Sequence, residues 1–235
     1  MSNRDFNCSD AVYRTFVDSI MPQIEADFPK FKEFSPVFND SYLDPIKLNL
    51  EEASLIESDN VYIDRQANET SEITKQLAVC QRIFQSKKFH IEMAFMDSPN
   101  KLNEFGFNDY RNSHRSPQLF RLFMIDYGMV CNRYKDILLA NGITQEYIDS
   151  IPVETEKLRV AIVAGKTAKS DRALAADKRI DILNQIHEKL SLIMKAAKII
   201  FMDDEYRMGI YKFPITTTNA NGEEVPEEAP VNETL

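Results

Sequence analysis

Apolar side chains recur along this chain at steps of three and four over long stretches, the period of a helix that buries one face. Val12, Phe16, Ile20 and Ile24 stand four apart behind Ser9 and Asp10, residue types that cap a helix by accepting from its first free N–H groups. Pro29 is expected to stop this helix, since it has no N–H and disfavours helical backbone in the residue before it. From Phe31 to Ile56 the pattern continues through Phe34, Phe38, Tyr42, Ile46, Leu50 and Leu55, but Pro36 and Pro45 interrupt it. Broken or kinked helix is the expectation there.

The longest uninterrupted pattern runs from Val61 to Phe95, with Ile63, Ala67, Thr70, Ile73, Leu77, Cys80, Phe84, Ile91 and Phe95 on one stripe. No glycine or proline occurs before Pro99, so a single rod of roughly 50 Å is expected at ~1.5 Å per residue. Lys88 stands where the stripe wants an apolar group. It marks a bend, a shift of the stripe to Phe89, or a long side chain reaching outward.

Residues 98 to 116 carry turn-forming residues together with Phe105, Phe107 and Tyr110. A mobile loop would leave those rings in water, so the connector is expected to pack, with Gly106 either at a positive φ or a close backbone approach, or an ordinary loop glycine. Ser116 and Pro117 open a third helix bearing Phe120, Phe123, Met124, Tyr127, Cys131, Tyr134 and Leu138, which Asn141 and Gly142 end. Pro152 opens a fourth with Leu158, Ala161, Ile162 and Ala164, weakening from Gly165 to Asp171. In a fifth, Arg179, Leu183, Ile186, Leu190, Ile193, Ala197 and Ile200 alternate steps of four and three, the repeat of a coiled-coil-like seam.

These segments predict an all-α fold, an antiparallel bundle of about five long amphipathic helices. Its expected parts are an N-terminal helical segment over 1–58, the bundle core over 59–213 and a disordered acidic tail over 214–235. Composition agrees, because only 6 glycines among 235 residues speak against sheet-rich folds and phosphate-cradling loops. A formal net charge of -9 opposes attraction to phosphate backbones, so nucleic acid is not an expected partner. No secretory signal pattern opens the sequence and no run approaches the ~18 apolar residues of a membrane span. The expectation is a cytoplasmic protein without a membrane partner. The 3 scattered cysteines, Cys8, Cys80 and Cys131, suit a reducing compartment better than a disulfide framework.

Little catalytic chemistry is legible. Di-iron bundles need Glu-x-x-His pairs, and none is present; His90, His114 and His187 lack a carboxylate one turn away. Gly165-Lys-Thr-Ala lacks the upstream glycine and the preceding strand of a phosphate loop, and no Gly-x-Ser-x-Gly elbow occurs. Glu51-Glu52, Asp203-Asp204-Glu205 and Glu223-Glu224 lack the alternating spacing of a calcium loop. No catalytic, cofactor-binding or metal site is expected, and no cofactor.

The stretches Leu102-Asn-Glu-Phe-Gly-Phe-Asn-Asp-Tyr-Arg111, Asn141-Gly142-Ile143 and Met194-Lys-Ala-Ala-Lys-Ile-Ile-Phe-Met-Asp203 resemble an uncharacterised all-helical family common in Bacteroidota-type bacteria. That resemblance covers residues 60 to 210 and implies helical architecture but no activity. The residues therefore point to a non-enzymatic helical scaffold or protein-interaction subunit, working through a protein partner or self-association. The alternative is a ligand- or metal-binding bundle with an aromatic pocket, in which Tyr110, Tyr127 and Tyr134 supply polar contacts.

Overall fold

The computed structural model describes residues 3–214, 216–218 and 224–226, and among these the chain is all-α apart from one short strand pair. Ten helices occur among the described residues. They are α1 (Asp10–Phe34), α2 (Asp44–Leu55), α3 (Asp59–Ser86), α4 (Lys88–Ala94), α5 (Pro99–Glu104), α6 (Tyr110–Ser113), α7 (Pro117–Arg133), α8 (Lys135–Ala140), α9 (Gln145–Ile200) and α10 (Glu205–Ile210). Strand β1 (Thr216–Thr218) pairs antiparallel with β2 (Glu224–Pro226), a pairing that the composition of this stretch does not predict. The rest of the expected disordered tail lies outside the described residues.

Backbone contacts divide the chain into two compact units, a terminal one (Met1–Ser58 with Ala173–Leu235) and a central one (Asp59–Arg172). Helix α9 contributes its first half to the central unit and its second half to the terminal one.

In the terminal unit, Ser9 caps α1 as expected, its hydroxyl accepting from the Val12 N–H. The helix does not stop at Pro29 but runs through Pro22 and Pro29 to Phe34. Both prolines are exposed and stand seven residues apart, on the solvent side where helical hydrogen bonds are longest. The buried residues Ile24, Phe28 and Phe31 hold the opposite face in the core, so packing outweighs the missing N–H donors. The middle of the α9 seam is core, with Leu183, Ile186, Leu190, Ile193 and Ala197 fully buried, while Arg179 and Ile200 at its ends are half-buried. Asp27, on the core face of α1 and only 4% exposed, accepts from Gln23 and from the Tyr211 hydroxyl at 3.0 Å, and its carboxylate forms an ion pair with Arg207 at 2.9 Å. Arg207 belongs to α10, which Asp204 caps, so this buried carboxylate pins α10 to α1.

The central unit corrects three expectations of continuity. The rod from Val61 to Phe95 is two helices, broken at Lys87, and of the readings for Lys88 the bend is realised. Phe89 lies outside the core while Ile91 and Phe95 are buried, and Lys88 reaches Glu92 at 3.7 Å. The third helix is likewise divided at Tyr134 into α7 and α8. Conversely, the fourth and fifth segments are one helix. Gly165 does not break it but gives way to a neighbour, since a Cβ there would stand 2.7 Å from Ile73 Cδ1. The connector is ordered and packed, as its rings required. Phe105 is fully buried, and Gly106 has both a positive φ of 77° and a close approach, its missing Cβ lying 2.6 Å from the Phe123 ring.

Leu190→Ala removes a fully buried side chain from the α9 seam and is expected to cost about 2–5 kcal/mol, read from denaturant unfolding midpoints. A change below ~0.5 kcal/mol, the range of ordinary surface substitutions, would contradict its place in the core.

Candidate functional site

The aromatic centre of the central unit is built where α3 ends. Phe84 there stacks on Tyr110 (centroids 4.6 Å apart) and meets Phe123 and Tyr127 edge-on. Beneath the rings, the Tyr127 and Tyr147 hydroxyls lie 2.8 Å apart and Tyr147 donates to the Ile83 carbonyl at 2.7 Å. Ser86 donates to the same oxygen at 2.9 Å. Carbonyls in a last helical turn lack intrahelical partners, and these side chains supply them. Burial pushes the Tyr127 and Tyr147 hydroxyls well above the ordinary phenol range, so both remain protonated donors.

The three tyrosines expected to contact a ligand are joined through intervening rings but do not converge on one opening. Tyr127 is buried with its hydroxyl spent on Tyr147. Tyr110 accepts from the Gln85 side-chain amide, and Tyr134 donates to Glu104. A cleft of about 440 Å³ does lie between the connector and α7, floored by Phe105 and Phe123 and rimmed by Glu104, Asp109, Arg115 and Asp126; of the three tyrosines only Tyr127 lines it.

A second groove of about 400 Å³ separates α7 from the first turns of α9. Its floor holds Met124, Ile125, Met129, Ile151 and Pro152. Gly128 sets the spacing, because a Cβ there would stand 3.0 Å from Ile151 Cγ2. The Arg121 Nε is buried in this groove and meets no hydrogen-bond partner among the described residues. Nearby Glu156 is held by Arg159 through contacts of 2.7 to 2.9 Å, which keep its carboxyl below the usual range, with Arg121 adding a weaker pull.

In the terminal unit a cavity of about 320 Å³ is lined by Asp5, Cys8, Tyr13, His187 and Phe213, among others. Tyr13 and His187 Nδ1 are 3.1 Å apart. Burial raises the Tyr13 hydroxyl and lowers the imidazole, against a smaller opposing effect of Asp5, so a protonated phenol and a neutral ring share this hydrogen bond. Burial also pushes the thiols of Cys80 and Cys131 up to about 11 and about 12, which leaves both unreactive.

Sequence reasoning missed Arg121, Asp27 and Tyr147. Asp27 interrupts an apolar stripe three residues after Ile24, and that interruption was a usable signal. Tyr147 carries none, since it lies in the short stretch between Gly142 and Pro152. Among the described residues no group of three or more His, Cys, Asp or Glu side chains could hold a metal ion. No described helix is long and apolar enough to cross a membrane.

No protein-family model matches the chain, nor does any curated protein or solved structure. Function must therefore be argued from its surfaces.

The lowered His187 predicts a pH dependence. The unfolded ring takes a proton near pH 6.5 and the folded ring only below that, so this group's stabilisation is complete above 6.5 and declines as pH falls through it. Unfolding midpoints of the protein and of His187→Gln, followed from pH ~7.5 to ~5.5, are expected to converge as pH falls. A constant difference would contradict the assignment.

Proposed function

We propose that this protein is a non-enzymatic helical interaction subunit and that α4 carries its docking ridge. The observation that carries the reading is the exposure of Phe89, Met93 and Met96, at 67%, 51% and 64%. Phe89 and Met93 stand at i and i+4 on one face of α4, and Met96 follows just beyond the helix end. Ile91 and Phe95 from the same segment are buried, so the ridge is not the core side of α4 misplaced into solvent. Large exposed apolar side chains that share a line mark interaction surfaces more often than scattered ones do. Methionine suits the role, since its unbranched thioether repacks against varied partners, and an exposed phenylalanine provides an anchor. Both hydroxyl-bearing and thiol side chains of the central core are already engaged or buried, which speaks for packing over chemistry.

A second reading, a ligand-binding bundle with an aromatic pocket, draws on the connector cleft above Phe105 and Phe123. The ridge is favoured because the tyrosine hydroxyls that would select a ligand there have internal partners.

Phe89→Ser with Met93→Ser is expected to leave stability within about 0.5 kcal/mol, as exposed substitutions do. A photo-crosslinking residue at Met93, introduced in the native cell, is expected to give a discrete protein adduct that the double variant loses, whereas the same probe at exposed Leu174 gives none. Absence of an adduct at position 93, or an identical pattern at 174, would refute the ridge.

A further inference from the structure

The groove between α7 and α9 is distinct from the α4 ridge and is assigned no role above. Its two ends differ in charge. Arg121 faces the Glu156 end, and Asn132, Ile148 and Asp149 line the other, about 16 Å away along α7 at ~1.5 Å per residue. Between them the lining is methionine, isoleucine, proline and Gly128, with Thr155, whose hydroxyl donates to the Ile151 carbonyl, beside Glu156. A groove with a charged head and an apolar body matches an amphiphile with one charged end, and its volume falls in the ordinary range for small-molecule sites.

The sign of the head follows from the pairing. Both Glu156 oxygens are taken by Arg159, so Glu156 and Arg159 offset one another and the Arg121 guanidinium is left as the excess charge at that end. A buried guanidinium nitrogen without an acceptor costs free energy, and a carboxylate delivers an acceptor of the required charge. At the far end Asp149 accepts from Gln145, and its negative charge opposes an anion there. One orientation is therefore selected.

We propose that this groove binds a carboxylate amphiphile, its head at Arg121 and its unbranched chain along Met124, Ile125, Gly128 and Met129. At the helix crossing Gly128 lets α7 close on Ile151, a Cβ there standing 3.0 Å from Ile151 Cγ2, so Ile151 itself forms the apolar wall that the chain passes. Binding here does not depend on the docking ridge, and each reading survives the failure of the other.

The test uses dodecanoate, with dodecanol as the uncharged control, titrated into the full chain with methionine methyl groups labelled for NMR. Dodecanoate is expected to shift the Met124 and Met129 methyls and leave Met93 and Met96 unmoved, and Arg121→Gln is expected to weaken it at least tenfold. Arg121→Lys keeps the charge without the Nε donor and should fall between. Dodecanol binding to Arg121→Gln at wild-type strength shows that the variant's groove is intact. The inference is overturned if dodecanoate fails to bind, if it moves all four methyls alike as a detergent would, or if dodecanoate and dodecanol weaken equally in Arg121→Gln.

Discussion

The carbonyl oxygen of Ile83 is the point on which the central unit turns. The apolar stripe of α3 would carry the helix straight on, and the chain instead stops at Ser86 and restarts at Lys88. A break of this kind leaves carbonyls without partners inside an apolar cluster, which is costly unless something else donates to them. Tyr147 and Ser86 do so, and Tyr127 lies within hydrogen-bond distance of Tyr147. One buried chain of hydroxyls thus ties α3, α7 and α9 together where α3 ends. The break also turns Phe89 and Met93 outward while Ile91 and Phe95 stay inside, so the ridge depends on it.

Two of these helices, α7 and α9, also set the groove. Gly128 lets α7 approach Ile151 of α9, and Tyr127, one residue earlier, faces the opposite way into the rings around Phe84. Adjacent residues of one helix thereby serve a close crossing on one side and an aromatic core on the other. Arg121, two turns earlier, is left with a buried nitrogen at the edge of that crossing.

Helical period made the all-α architecture legible, and residue chemistry added the α9 seam, the packed connector, the Ser9 and Ser116 caps and the stop at Gly142. Where helices end was harder to read, because a break depends on tertiary partners. Pro22, Pro29 and Pro152 lie inside helices that their surroundings sustain, whereas Lys87 and Tyr134 interrupt helices without any proline or glycine. The three candidate tyrosines are joined in the aromatic cluster, but what their hydroxyls reach is decided by residues distant in sequence: Tyr147, Gln85 and Glu104. Arg121 gave no signal, since an arginine between Phe120 and Leu122 reads as the polar side of an amphipathic helix.

Amide hydrogen exchange in the protein and in Tyr147→Phe tests the dependence on Ile83 most directly. The variant keeps the ring and removes only the donor, so Ile83 retains Ser86 alone and Tyr127 loses its hydroxyl partner. Protection is expected to fall first and furthest over residues 83 to 95, at the end of α3 and through α4, with the middle of α3 and the α9 seam little changed. Loss spread evenly over the central unit, or none at all, would contradict the claim that this hydroxyl chain holds the break.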